Sequence, residues 1–186
     1  MAALLTSFVA AFLCAWGDKT QLLAATLAEG SRKRAQLLAG LVLAALASNV
    51  VAAFAGIWIA ASITIRAMTL LTALALLFAG ISGIIPRRQK AESLGRLPIL
   101  TTFILCLAAE MGDRIQFLTF AFAGRFDSAP LAAAGATAGL VAACVPAIML
   151  GDKLKSTLPV RGIRWTVAAV LTIAGFIVAV RALQLA

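Results

Sequence analysis

The chain reads as six apolar runs divided by short polar breaks. The runs cover residues 4–27, 35–61, 67–85, 99–123, 131–150 and 163–180. The breaks carry proline, glycine and charge, as in SRKR at 31–34, Arg66, PRRQKAESLGRLP at 86–98, GRFDSAP at 124–130 and GDKLKSTLPVRG at 151–162. Each run is close to the ~20 residues that a helix needs to cross a bilayer. None alternates apolar and polar positions as barrel strands do. The pattern predicts an all-α integral membrane protein with six transmembrane helices.

Composition agrees with the pattern. Hydrophobic residues make up 63% of the chain and charged residues 12%, against about 25% charged in a soluble domain. A water-soluble globule is excluded, and six spans leave no room for a second domain. Histidine is absent, which removes imidazole metal ligands and histidine acid–base chemistry, so an enzyme is not expected. The three cysteines, Cys14, Cys106 and Cys144, all fall inside apolar runs. An odd number with none in a loop argues against a disulfide framework. The N-terminal run has no positive leader region and continues past Asp18, so it reads as a first span rather than a signal peptide.

The net charge of +9 would suggest nucleic acid in a soluble protein, but here the bases sit in the breaks. Arg32, Lys33, Arg34, Arg87, Arg88, Lys90, Arg96, Lys153, Lys155, Arg161 and Arg164 follow spans one, three and five. Only Arg66, Arg125 and Arg181 fall on the other side. The positive-inside rule places the eleven in the cytoplasm and both termini outside. The partners expected are the bilayer and a transported solute, with no nucleic acid.

The chain also repeats itself. A shift of 95 residues aligns Phe8 with Phe103, Gly17 with Gly112, Asp18 with Asp113, Lys19 with Arg114, Gln21 with Gln116, Gly40 with Gly135, and Gly80 with Gly175, without a gap. Each copy holds three spans, so the second enters the membrane upside down. The organisation predicted is a single transmembrane domain over 1–186, with repeat one at 1–86, a cytoplasmic linker at 87–97 and repeat two at 98–186. Inverted repeats of this kind belong to transporters, whose sites lie near the midplane at the repeat interface.

The chemistry lies in CAWGDKTQ (14–21) and AEMGDRIQ (109–116). Asp18, Lys19, Glu110, Asp113 and Arg114 are ionisable residues at membrane depth, each costing about 2.5–3.5 kcal/mol at a helix centre. Such residues face a protein interior or a water-filled path. Glu110, Asp113 and Gln116 are three apart and so lie along one helix face, as do Asp18 and Gln21, while Lys19 and Arg114 point about 100° away. Carboxylates and amide oxygens suit a hard cation such as Ca²⁺ or Mn²⁺. Gly17 and Gly112 permit close approach or local unwinding. The bland alternative is a salt-bridge latch, Asp18 with Arg114 and Lys19 with Asp113, which leaves Glu110 and both glutamines unexplained.

Other residues carry less. Cys14 and Cys106 either face the site and favour a softer metal or fill the core as small apolar residues, the second reading being preferred. Ser48 and Asn49 either line a cavity or bond between helices. Gly135 and Gly139 form a small-residue packing motif, Pro146 predicts a kink, and Trp16 and Trp58 read as packing and interface residues.

The two motifs resemble the Glu-x-Gly-Asp-(Lys/Arg)-(Thr/Ser) signature of the transmembrane protein 165 family, the Gdt cation/proton exchangers, which carry it once in each inverted half. Gly17-Asp18-Lys19-Thr20-Gln21 matches the first copy and Glu110-x-Gly112-Asp113-Arg114 the second. Ala15 stands where the first glutamate is expected, and Ile115 where the second threonine or serine is. The resemblance implies a membrane antiporter of Mn²⁺ or Ca²⁺ against protons, a manganese exporter of the bacterial inner membrane. It implies a site of Asp18, Glu110 and Asp113 with Thr20 as polar neighbour; Gln21 and Gln116 join from their spacing, and Lys19 and Arg114 tune the charge. The metal is then a transported substrate, no cofactor is implied, and a monomer or homodimer suffices. Two other functions fit the residues: export of another small solute such as an amino acid, and a non-transporting membrane assembly subunit.

Overall fold

A computed structural model describes residues 1–29, 33–85, 98–151 and 159–183. The linker at 87–97 and the basic residues Arg32, Arg87, Arg88, Lys90, Arg96, Lys153 and Lys155 lie outside the described residues. The elements are α1 (Ala2–Ala15), α2 (Lys19–Glu29), α3 (Arg34–Ala60), α4 (Ile65–Ile84), α5 (Pro98–Glu110), α6 (Arg114–Phe126), α7 (Ala129–Leu150) and α8 (Val160–Leu183). Among the described residues there is no strand. The protein is all-helical and passes through the membrane several times.

Four helices, α3, α4, α7 and α8, are each long and apolar enough to cross a membrane. At 1.5 Å per residue, the 20 residues of α4 reach about 30 Å, the thickness of the hydrocarbon core. The first and fourth apolar runs behave differently. Helices α1 and α2 meet at a bend of 64° and count as a fifth span only when taken together. The short apolar helix α5 is also divided from the helix that follows it, with residues 111–113 between α5 and α6. The cause is local: Gly17 and Gly112 both have φ of 69°, a left-handed conformation that costs other residues about 1–2 kcal/mol.

The helices pack through glycine. α1 lies along α7, α3 along α5 and α6, and α4 along α8. Gly40 of α3 sits against the backbone of Ile99, and Gly135 of α7 against that of Leu4. Gly80 of α4 sits against Ala168 and Thr172, and Gly175 of α8 against Ala73 and Leu77. Each of these contacts has its counterpart at the 95-residue offset. A Cβ on any of the four would run into backbone, so only glycine lets these helices approach so closely. Apolar side chains such as Val51, Phe54, Ile173 and Phe176 point outward from the bundle, as a bilayer requires. Trp58, also exposed, stands near the end of α3, and Trp16 packs edge-on against Phe12 at 5.9 Å.

Candidate functional site

The two helix breaks carry the site. In each, the glycine turns the chain and the aspartate that follows stands at the start of a new helix. Asp113 is the N-cap of α6, its Oδ2 accepting the N–H of Ile115 at 3.4 Å. Asp18 directly precedes α2, and its carbonyl accepts the N–H of Leu22 at 3.0 Å. A helix N-terminus carries a partial positive charge and favours an anion there. Three residues on, each glutamine folds back. Gln21 Oε1 accepts the N–H of Gly17, and Gln116 Oε1 that of Gly112, both at 2.8 Å. This is a variant of the capping box. The pattern Asp-x-x-Gln signals it, and a reading based on unbroken helical spacing passes over it.

The break alters the expected phase. Glu110 is the last residue of α5, while Asp113 caps α6, so the single face predicted for Glu110, Asp113 and Gln116 does not extend across 111–113. The bases reach across instead of outward. Arg114 Nη2 lies 3.3 Å from Asp18 Oδ1, with both side chains buried. Lys19 Nζ lies 3.5 Å from Asp113 Oδ1, its side chain 17% exposed. The pairs are crossed, each base on the aspartate of the other motif. Arg114 Nη2 also donates to the carbonyl of Cys14 at 2.5 Å, one of the last carbonyls of α1, which lack helical donors.

Glu110 is fully buried. Its Oε1 accepts a hydrogen bond from Thr20 Oγ1 at 2.5 Å, and Oε2 has no hydrogen-bond partner among the described residues. Thr20, Glu110, Asp18 and Asp113 thus stand with Lys19 and Arg114 in one polar centre where the two motifs face each other. Among the described residues no three His, Cys, Asp or Glu side chains stand close enough to hold a metal ion together. Cys14, Cys106 and Cys144 are free thiols in the packed core.

The surroundings of the two breaks differ. Gly17 and Gln21 are buried, and Gln21 Nε2 donates to the carbonyl of Ala143 on α7 at 2.7 Å. Gly112 is exposed, and with Asp113 and Gln116 it lines a cleft of about 580 Å³ walled by α3, α4 and α6. Gln116 Nε2 is directed at Met111 Sδ, at 4.0 Å.

Beside this centre lies a buried network that the sequence only partly signals. Thr119 Oγ1 donates to Asn49 Oδ1 at 2.9 Å, and Asn49 Nδ2 to Thr137 Oγ1 at 3.4 Å. Asn49 therefore bonds between helices, tying α3 to α6 and α7. Thr119 and Thr137 were legible only as polar residues inside apolar runs.

Comparison with known proteins found two matches by sequence. The family model described as "Divalent cation/proton antiporter GDT1" matches residues 3–91 and 98–185. A protein of Vibrio cholerae serotype O1 named "Putative manganese exporter" is 30% identical over 167 residues, covering 88% of this chain and 84% of that protein. No solved structure matches the chain significantly. The family match along almost the whole length gives the identification: the chain belongs to the GDT1 family of divalent cation/proton antiporters, a transporter and not an enzyme, whose metal ion is cargo rather than cofactor.

Proposed function

We propose that this protein exports a divalent cation, Mn²⁺ in preference to Ca²⁺, in exchange for protons, through a site at the two facing helix breaks. The observation that carries the proposal is the set of crossed, buried ion pairs beside a glutamate with one carboxylate oxygen unpartnered. Asp18, Asp113 and Glu110 supply the anionic oxygens, and Thr20 orients Glu110. Gln21 and Gln116 shape the two turns; their amide oxygens reach an ion only by releasing the glycine N–H groups. A cation at Asp18 or Asp113 competes with Arg114 or Lys19. The two bases therefore tune the charge and hold the acids when the cation has left. Protons compete for the same carboxylates, which couples the two fluxes. The preference for Mn²⁺ draws on the name of the Vibrio cholerae relative.

The architecture proposed is six spans, two of them broken, as inverted repeats at 1–86 and 98–186 in one domain of 1–186. The reciprocal glycine contacts and the reciprocal ion pairs support it. The location proposed is the bacterial inner membrane with both termini outside, on the asymmetry of basic residues.

The test is flux in proteoliposomes with a panel of divalent ions and an internal pH dye. Mn²⁺ entry should move protons the opposite way, and Asp18→Asn, Glu110→Gln and Asp113→Asn should each abolish both signals. Normal flux in all three neutral variants would overturn the site.

A further inference from the structure

The two motifs share a backbone turn, a glutamine that closes it and a crossed ion pair, and they differ in where the glutamine nitrogen goes. Both glycines have φ of 69°. Both glutamine Oε1 atoms accept the glycine N–H at 2.8 Å. Both aspartates hold the other motif's base. The second half of each glutamine differs. Gln21 Nε2 donates to the carbonyl of Ala143 on α7. At the 95-residue offset, Gln116 corresponds to Gln21 and Ser48 of α3 to Ala143. The matching bond, from Gln116 Nε2 to the Ser48 carbonyl, is not made; Gln116 turns to Met111 in the cleft. Ser48 is buried, and its Oγ has no hydrogen-bond partner among the described residues.

We infer that Gln21 and Gln116 are paired gate residues whose docking alternates. With Gln21 docked on Ala143, α2 is closed against α7 and the first motif is sealed. With Gln116 undocked, the cleft beside α3, α4 and α6 reaches Asp113. In the opposite conformation the bonds exchange: Gln116 docks on the Ser48 carbonyl, the cleft closes, and Gln21 leaves Ala143. Symmetry makes the exchange close to neutral in energy, since one glutamine–carbonyl bond replaces another. Throughout, the Oε1 bonds to Gly17 and Gly112 hold each glutamine at its own turn, so only the amide nitrogen changes partner. The inference rests on the antiporter reading above. With both termini outside, the conformation described has its outer side open and its cytoplasmic side closed.

The experiment places one reporter thiol on each side in a background with Cys14, Cys106 and Cys144 replaced by alanine. Ala55→Cys lines the cleft. Leu150→Cys, its counterpart at the 95-residue offset on α7, reports the other side. Alkylation by a membrane-impermeant maleimide is followed from outside intact cells and in inside-out vesicles. Gln116→Leu, unable to close the cleft, should raise labelling at position 55 from outside and lower it at 150 from inside. Gln21→Leu should do the reverse. The change should be about fivefold, the population shift given by one lost hydrogen bond. The double variant should return towards the parent rates, whereas two purely structural bonds would add their damage. Monodispersity in detergent identifies a variant that misfolds, and Gln→Met at the same positions then replaces it. Both single variants moving labelling in one direction, or position 55 staying unlabelled in every variant, would overturn the inference. Opposite shifts with no divalent flux from the parent protein would keep the gate and discard the cation as cargo.

Discussion

The breaks at Gly17 and Gly112 share a backbone and differ in almost everything around it. The first is sealed, lacks the motif glutamate, and has Ala15 at the end of α1. The second lies on a cleft and has Glu110 at the end of α5. The carboxylate of the polar centre that lies outside the crossed pairs, Glu110, thus belongs to the second motif, while Thr20, the hydroxyl that bonds it, comes from the first. In the proposed site neither motif is complete: each supplies what the other lacks.

The largest expected effect that tests this comparison is on the ion pairs. Asp18→Asn leaves Arg114 with its guanidinium buried, and such an uncompensated charge costs about 3–5 kcal/mol. Asp113→Asn leaves Lys19, which still reaches solvent, and should cost less. Thermal unfolding in detergent should rank Asp18→Asn below Asp113→Asn, and adding Arg114→Gln to Asp18→Asn should restore part of the loss. Equal losses would mean that the two pairs are equivalent in spite of their different exposure.

The next effect is at the turns. Asparagine tolerates a left-handed φ better than most residues. A Cβ at Gly112 meets nothing within 4 Å, so Gly112→Asn should insert and fold with a loss of about 1 kcal/mol or less. Gly17 is buried, and Gly17→Asn should lower the unfolding temperature further, since a buried amide without partners costs ~1–3 kcal/mol more. Equal tolerance at both glycines would remove the distinction between a sealed and an open break.

A smaller effect concerns the shared hydroxyl. Thr20→Val keeps the shape and removes the bond to Glu110, and should cost ~1 kcal/mol or more and weaken flux. Thr20→Ser should restore it.

The smallest effect sharpens the comparison by making the motifs alike. Ala15→Glu places a carboxylate at the counterpart of Glu110, and Ile115→Thr a hydroxyl at the counterpart of Thr20. Together they should lower the half-saturating Mn²⁺ concentration in inside-out vesicles by about fivefold, the equivalent of ~1 kcal/mol. Ala15→Glu alone should gain less, because Ile115 offers its carboxylate no donor. An unchanged or weaker affinity in well-inserted protein would show that position 15 does not face the ion.

Much of the fold could be read from the chain because hydrocarbon imposes one rule on every span. Apolar runs at 35–61 and 131–150 became α3 and α7, each within a few residues of the expected ends. The glycine pairs at the 95-residue offset were legible too, since they meet where only glycine fits. The site was legible as residues and illegible as geometry. Spacing arguments assume that the helix continues, and at 16–18 and 111–113 it does not. Past the break, Asp113 lies at a helix start rather than on a shared stripe, and Arg114 points across to Asp18. Gln21 reaching Ala143 depends on a backbone carbonyl, which no residue type announces.

The closeness of α4 and α8 has a further consequence. Gly80 and Gly175 bring the two backbones together, and Arg164 fastens the end of α4 by donating to the carbonyls of Gly83, Ile84 and Ile85. Contacts between main chains have no rotamers to give way, so a push on one helix is passed to the other undiminished. In the proposed exchange the pair would serve as a keel, one helix from each half of the chain, about which the rest turns. A larger residue at Gly80 or Gly175 should therefore part the two helices and slow flux in proteoliposomes more than it weakens cation binding.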